Sequence, residues 1–182
     1  MEIEQYEIEG LLSFIPRRFK DERGLFFESF NQNLFEEMVG RKVSFVQDNE
    51  SHSKLHVLRG MHLQKPPFAQ GKLVRVIKGK VIDVAVDIRK SSATYGQHVK
   101  VELSGENGRV LWIPEGFAHG FLTLEDDTIF NYKCTNFYHP QSEMSLCWND
   151  SLLNINWEIE NPTLSDKDSS APKFEDFNSP FS

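Results

Sequence analysis

The sequence predicts a mainly β protein, folded as a small antiparallel β-barrel with a few short helices. Three observations predict it. Hydrophobicity alternates with a period of two over many short runs, turn residues separate those runs at close intervals, and only one stretch carries well-punctuated helical periodicity. Many short strands leave open edges that must be closed or covered, which a barrel or a double-sheet jelly roll achieves.

Taken in order, residues 24–30 form the first strand candidate. Asn31 can then cap a helix over 32–38, with Leu34, Phe35 and Met38 at helical spacing and Gly40 just beyond its end. Strands over 43–47 and 57–63 precede the clearest run, LVRVIKGKVIDVAVDIR over 73–89, where two β-branched stretches flank Lys78 and Gly79 and predict a hairpin. In its second arm Val81, Asp83, Ala85 and Asp87 share one face, while Ile82, Val84, Val86 and Ile88 share the other. One face is thus apolar and the other carries two carboxylates, Asp83 as a supporting partner and Asp87 at the barrel rim. Strands over 97–103, 110–113, 119–124 and 128–134 follow, with turn residues at 105–108 and 125–127. A second short helix is expected near Ser165. From Asn161 the chain becomes rich in Pro, Ser and Asp, so residues 1–182 are expected to form one domain, with about 161–182 a tail laid over the barrel.

Bulk properties narrow the function. The 182 residues carry 20 Lys and Arg against 27 Asp and Glu, a formal charge of -7, which argues against a surface that tracks nucleic acid. A small anionic ligand remains compatible, because a few cations focused in a cleft outweigh a diffuse negative charge. The start, MEIEQYEIEG, lacks the basic and apolar regions of a secretory signal, and no apolar run approaches the roughly 20 residues of a membrane span. Cys134 and Cys147 form no CxxC motif and are expected to be reduced, core-filling thiols of a cytoplasmic protein.

Chemistry enters with GRVLWIPEGFAHGFLT from Gly108, which resembles the second cupin motif, G(x)5PxG(x)2H(x)3N, with Thr123 in place of the last Asn. That resemblance implies the cupin-type barrel, the double-stranded β-helix or jelly roll. Metal cupins also present a His-x-His pair and a Glu in their first motif. Here the corresponding residues are His62-Leu63-Gln64, and Lys72 stands where the Glu would be. A charged ammonium has no lone pair to offer a metal, so no metal and no cofactor are expected. A histidine near neutral pKa can instead abstract a proton α to a carbonyl, with Lys72 stabilising the enolate oxygen. Strand alternation puts Tyr132 on one face with Phe130 and Cys134, so its phenol can return the proton from the opposite side. Abstraction by His62 and reprotonation by Tyr132 invert a carbon next to a ketone.

The whole chain resembles the dTDP-4-dehydrorhamnose 3,5-epimerase family. The motifs that carry the resemblance are ERGLFFESFN from Glu22, FVQDN from Phe45, VLRGMH from Val57, AQGKLVRV from Ala69, DVAVDIR from Asp83, WIPEGFAHGF from Trp112, YKCTNFY from Tyr132, WND from Trp148 and LSDKD from Leu164. The resemblance implies inversion of C3 and C5 of dTDP-4-dehydro-6-deoxy-D-glucose, in dTDP-L-rhamnose and cell-surface polysaccharide biosynthesis. It implies His62 as base, Tyr132 as acid, Lys72 as the oxygen-stabilising cation and Asp168 as the carboxylate paired with His62. It further implies that Arg23, Glu28, Gln47, Asp48, Asn49, Arg59, His119, Glu143 and Lys167 contact the nucleotide sugar, and that Tyr138 stacks on it. Finally it implies a homodimer in which N-terminal strands are exchanged, so that Arg23 and Glu28 serve the neighbour's site.

Read from the residues alone, several positions stay open. Asp166 competes with Asp168 for the place beside His62, and His119, in the apolar run AHGFLTL, is either a ligand contact or a satisfied core histidine. Strict alternation sets Arg59 opposite His62, and Gly60 between them predicts a bulge that re-aims one side chain. The single-site epimerases, metal cupins and non-catalytic sugar-binding cupins are the competing classes, separable by isotope exchange, bound metal and turnover.

Overall fold

The computed structural model describes residues 2–182. Its alternating runs pair into two antiparallel sheets. The six-stranded sheet runs β1 (Glu2–Gln5), β2 (Leu12–Ile15), β10 (Val110–Ile113), β7 (Lys72–Lys78), β12 (Thr128–Cys134), β5 (Gln47–Ser53). The five-stranded sheet runs β13 (Glu143–Ser145), β6 (Leu58–Gln64), β11 (Phe117–Thr123), β8 (Lys80–Asp87), β9 (His98–Ser104). A separate hairpin joins β3 (Arg18–Asp21) to β4 (Gly24–Phe27).

Three apolar layers follow from this. Val74, Val76, Leu111, Ile113 and Phe130 from one sheet meet Val81, Ala85, Val101, Leu103, Phe117 and Phe121 from the other, making the interior of a jelly roll. The outer face of the five-stranded sheet, with Ile82, Val84, Val86 and Ile88, is covered by Trp148, Leu153, Ile155, Trp157 and Phe177. The outer face of the six-stranded sheet is covered by helix α1 (Gln32–Val39), through Phe35 against Trp112 at 5.1 Å between ring centroids. Burying each such aromatic contributes about 1.5–3 kcal/mol. Strand β8 is therefore enclosed on both sides, and its two carboxylates, Asp83 and Asp87, are fully buried. Asp87 is not an open rim group: Arg89, Ser92 and Thr94 surround it with hydrogen bonds.

Most elements agree with the sequence pattern, including α1, where Asn31 Oδ1 accepts from Leu34 N at 3.2 Å and Gly40 closes the helix at φ 73°. The hairpin over 73–89 is a correction. Strands β7 and β8 flank Gly79 as expected but do not pair, since β7 lies between β10 and β12 while β8 lies between β11 and β9. The chain changes sheets at Gly79, whose φ is 82° and whose missing Cβ would lie 2.4 Å from Thr128 Oγ1. Alternation identifies strands without naming partners, and here both strands gain more by facing each other across the core. A second correction concerns 43–47: Val43 and Phe45 pack beside α1 in an irregular stretch, and the strand begins only at Gln47.

Beyond β13 the chain returns over the five-stranded sheet. Leu58 N donates to Thr163 O at 3.0 Å, and Lys90 N donates to Phe181 O. A short helix, α2 (Asp166–Ser169), rests against β6 with Ser165 as its N-cap.

Candidate active site

The site begins with a bulge. His62 on β6 is opposite His119 on β11, and Arg59 is opposite Phe121, so Gly60 and Met61 share the single partner Gly120. Only glycine fits there: Gly60 has φ 137°, and a Cβ on it would come 2.5 Å from Gly120 Cα. The extra residue removes the conflict that strict alternation creates, and Arg59 and His62 line one cavity of about 590 Å³ between the sheets. An adjoining cavity of about 300 Å³ shares His62, Lys72 and Tyr132 with it.

The returning tail completes the histidine. His62 Nε2 donates to Asp168 Oδ1 at 2.5 Å, the carboxylate being buried while the ring stays partly open. Asp166, one turn edge away, is exposed. Burial opposes ionisation of Asp168, but the hydrogen bond and charge of His62, with help from Ser165 and Lys167, hold its carboxyl below the usual range. A carboxylate only accepts, so it keeps the proton on Nε2 and leaves Nδ1 with a lone pair.

Lys72, at the start of β7, makes no protein hydrogen bond through its ammonium among the described residues. Burial pulls its pKa down, and Cys134, Asp83 and Glu143 act to raise it. Its ammonium lies 6.0 Å from the Tyr132 ring centroid. Burial, reinforced by Cys134 and Glu143, pushes the Tyr132 phenol up against the opposing pull of Arg59, so the group keeps its proton to donate. His119 is buried, and its Nε2 sits 2.9 and 3.1 Å from the two oxygens of Asp83. Burial, with the charges of Lys72 and His62, pulls its pKa down despite Asp83. With an ammonium as the third group beside His62 and His119, this donor set does not fit a divalent metal.

The second cavity is polar. Glu143 accepts from Lys167 Nζ at 2.6 Å and from the Tyr138 hydroxyl at 3.2 Å, and Gln47 Oε1 accepts from Tyr138 N at 2.8 Å. Gln47, Asn49, Tyr138 and Glu143 line it. Three residues singled out from the sequence lie elsewhere. Arg23 is exposed and paired with Asp21 on the β3–β4 hairpin, and Glu28 is exposed just beyond it. Asp48 projects from the other face of β5 to Lys133 at 2.9 Å. Ser51, by contrast, escaped the sequence reading although it lines the large cavity with a sealed, unpartnered hydroxyl. Its place on one strand face, two residues beyond Asn49 and four beyond Gln47, is the available signal.

A jelly roll whose interior cavity gathers a histidine–aspartate pair, an ammonium and a protonated phenol defines a cupin-type acid–base enzyme. Residues 5–176 match the family described as dTDP-4-dehydrorhamnose 3,5-epimerase, and the chain belongs to that family. It is 58% identical over 176 residues to the dTDP-4-dehydrorhamnose 3,5-epimerase of Shigella flexneri, covering 97% of each chain. Its structure is similar to that of the dTDP-6-deoxy-D-glucose-3,5-epimerase of Legionella pneumophila in complex with dTDP-4-keto-L-rhamnose. There the TM-score is 0.93 and the identity 48%, over 97% of this chain and 94% of that one. A 3'-monoepimerase from Streptomyces bikiniensis in complex with dTDP-quinovose is also similar, at TM-score 0.88 and 33% identity over 92% and 85% of the two chains.

Proposed function

We propose that this chain inverts C3 and C5 of dTDP-4-dehydro-6-deoxy-D-glucose to give dTDP-4-dehydro-L-rhamnose. His62 Nδ1 takes the proton α to the C4 ketone, and Asp168 stabilises the imidazolium that results. Lys72, with Arg59, stabilises the enolate oxygen. Tyr132 then delivers its proton to the opposite face. The observation that carries this reading is the lining of one cavity by the His62–Asp168 pair, Lys72 and the protonated Tyr132. Incubating enzyme and keto-sugar nucleotide in D2O tests it: deuterium enters C3 and C5, and no entry at either carbon sinks it. Entry at one carbon only would move the chain to the single-site epimerases, to one of which it is similar.

The same reading makes Gln47, Asn49, Tyr138, Glu143 and Lys167 contacts for the nucleotide part, and treats residues 1–182 as one cytoplasmic domain. No helix is long and apolar enough to cross a membrane among the described residues. It also assigns Arg23 and Glu28 to the neighbour's site in a dimer with exchanged N-terminal strands, in keeping with the exposure of Phe19 and Phe26 on the same hairpin. Mixing refolded Arg23→Ala and His62→Ala chains checks this. Shared sites restore activity in the mixture, since each mixed dimer holds one intact site, and self-contained sites leave only the Arg23→Ala background.

A further inference from the structure

Asp83 is a fully buried carboxylate that the proton-transfer steps leave unused. Both of its oxygens face one atom, His119 Nε2, at 2.9 and 3.1 Å. A carboxylate accepts hydrogen bonds and cannot donate them, so that nitrogen must carry the proton. Nδ1 makes no protein hydrogen bond, and it is not among the side-chain atoms that are both sealed and unpartnered, which are Ser51 Oγ and Arg18 Nε among the described residues. The ring lines the large cavity, so Nδ1 is open to it. Burial and the nearby Lys72 and His62 charges disfavour a second proton on the ring.

We infer that Asp83 fixes His119 as a hydrogen-bond acceptor, and that His119 thereby reads a hydroxyl on the sugar carbon beside the ketone. The inference rests on the epimerase reading for its ligand and adds a positioning residue and a specificity rule to it. A bare nitrogen repels a ketone oxygen, whereas Lys72 and Arg59 offer only donors. The cavity thus has walls of opposite hydrogen-bond polarity, and a 4-keto sugar satisfies both when its carbonyl turns to Lys72 and its hydroxyl to His119. His119 is the register partner of His62, which sets that hydroxyl next to the carbon being deprotonated.

The tautomer is read first, by nitrogen-15 NMR of histidine-labelled wild-type enzyme at neutral pH without substrate. The expected spectrum assigns His119 one protonated nitrogen, Nε2, and one bare nitrogen, Nδ1. Protons on both, or on Nδ1 alone, overturn the inference. The specificity rule is read by exchange at C5 with the natural keto sugar and with its 3-fluoro analogue, which accepts but cannot donate. Wild type should favour the hydroxyl sugar by about 100-fold. In Asp83→Asn the amide can donate to Nε2 and move the proton to Nδ1, so that preference should shrink to less than about tenfold. Any loss of Lys72 charge in this variant slows both sugars alike and leaves their ratio unchanged. An unchanged ratio despite a switched tautomer overturns the specificity rule. If Asp83→Asn does not fold, the wild-type spectrum and the wild-type ratio still decide, a ratio near one refuting the rule. Absence of turnover in wild type counts against the epimerase reading instead, because the tautomer is read without substrate.

Discussion

His62 and His119 face each other across adjacent strands, and each is held by an aspartate through Nε2, yet the two pairs are built differently. Asp83 comes from β8, the strand next to β11, and the pair is buried in the sheet with only the His119 ring facing the cavity, at side-chain exposures of 7% and 0%. Asp168 comes from the tail, and its histidine keeps 27% of its side chain open. A histidine that must gain and lose a proton needs access and a partner that can follow the charge. A histidine that must keep one hydrogen-bonding character needs enclosure. On the proposed function, the same two residue types serve proton transfer in one place and recognition in the other, and burial separates them.

The largest separation between the pairs should appear on truncation. His62→Ala is expected to lower turnover at least about 10³-fold and to abolish deuterium uptake, as loss of a general base does. His119→Ala should cost about tenfold and retain uptake, as loss of one neutral hydrogen bond does. Equal losses measured by exchange kinetics would erase the distinction. Next comes Asp168→Asn, expected to slow exchange about 100-fold through the wrong tautomer of His62. It also carries a pH signature. The Asp168 carboxyl is depressed when folded, so its stabilisation of the docked tail is complete above the ordinary value of 3.8 and is lost as pH falls through the folded value. Hydrogen-exchange protection of α2, relative to the intrinsic rate at each pH, should fall on acidification in wild type, and be reduced already at neutral pH in the variant. The smallest effect on chemistry accompanies a change that touches both histidines: Gly60→Ala should lower stability by about 3 kcal/mol, through a positive φ and a clash with Gly120. Denaturant midpoints would show it, and activity per folded molecule should fall for both histidine functions together.

Much of this arrangement is legible in the sequence, because period two locates strands, motif spacing locates His62, Lys72 and His119, and strand alternation places Tyr132. Gly60 announced the bulge that turns Arg59 toward the cavity, since a glycine inside a strand marks a bulge or a close backbone approach. What alternation does not carry is partnership. It marked β7 and β8 correctly and paired them wrongly, because pairing depends on which contacts bury both faces. The short strands β1, β2, β3 and β13 went unseen, each having four residues or fewer and little room for a period to show. The residues alone also left Asp168 and Asp166 level, as the choice between them is made by α2 docking on β6, a contact far apart in the chain.

The change of sheets at Gly79 has a further consequence, for how the molecule comes into being. Neighbouring strands are drawn from remote parts of the chain, β2 beside β10 and β5 beside β12, and the adjacent β7 and β8 lend each other no ladder. Loops must close before such pairings are rewarded, which places folding among the slow, high-contact-order cases, on the order of milliseconds to seconds. The residues around the cavity sit on β6 and β11 of one sheet, β7 and β12 of the other, and α2, so no single hairpin or sheet holds the whole site. Activity should therefore return in a refolding experiment with the slowest phase alone, as one event.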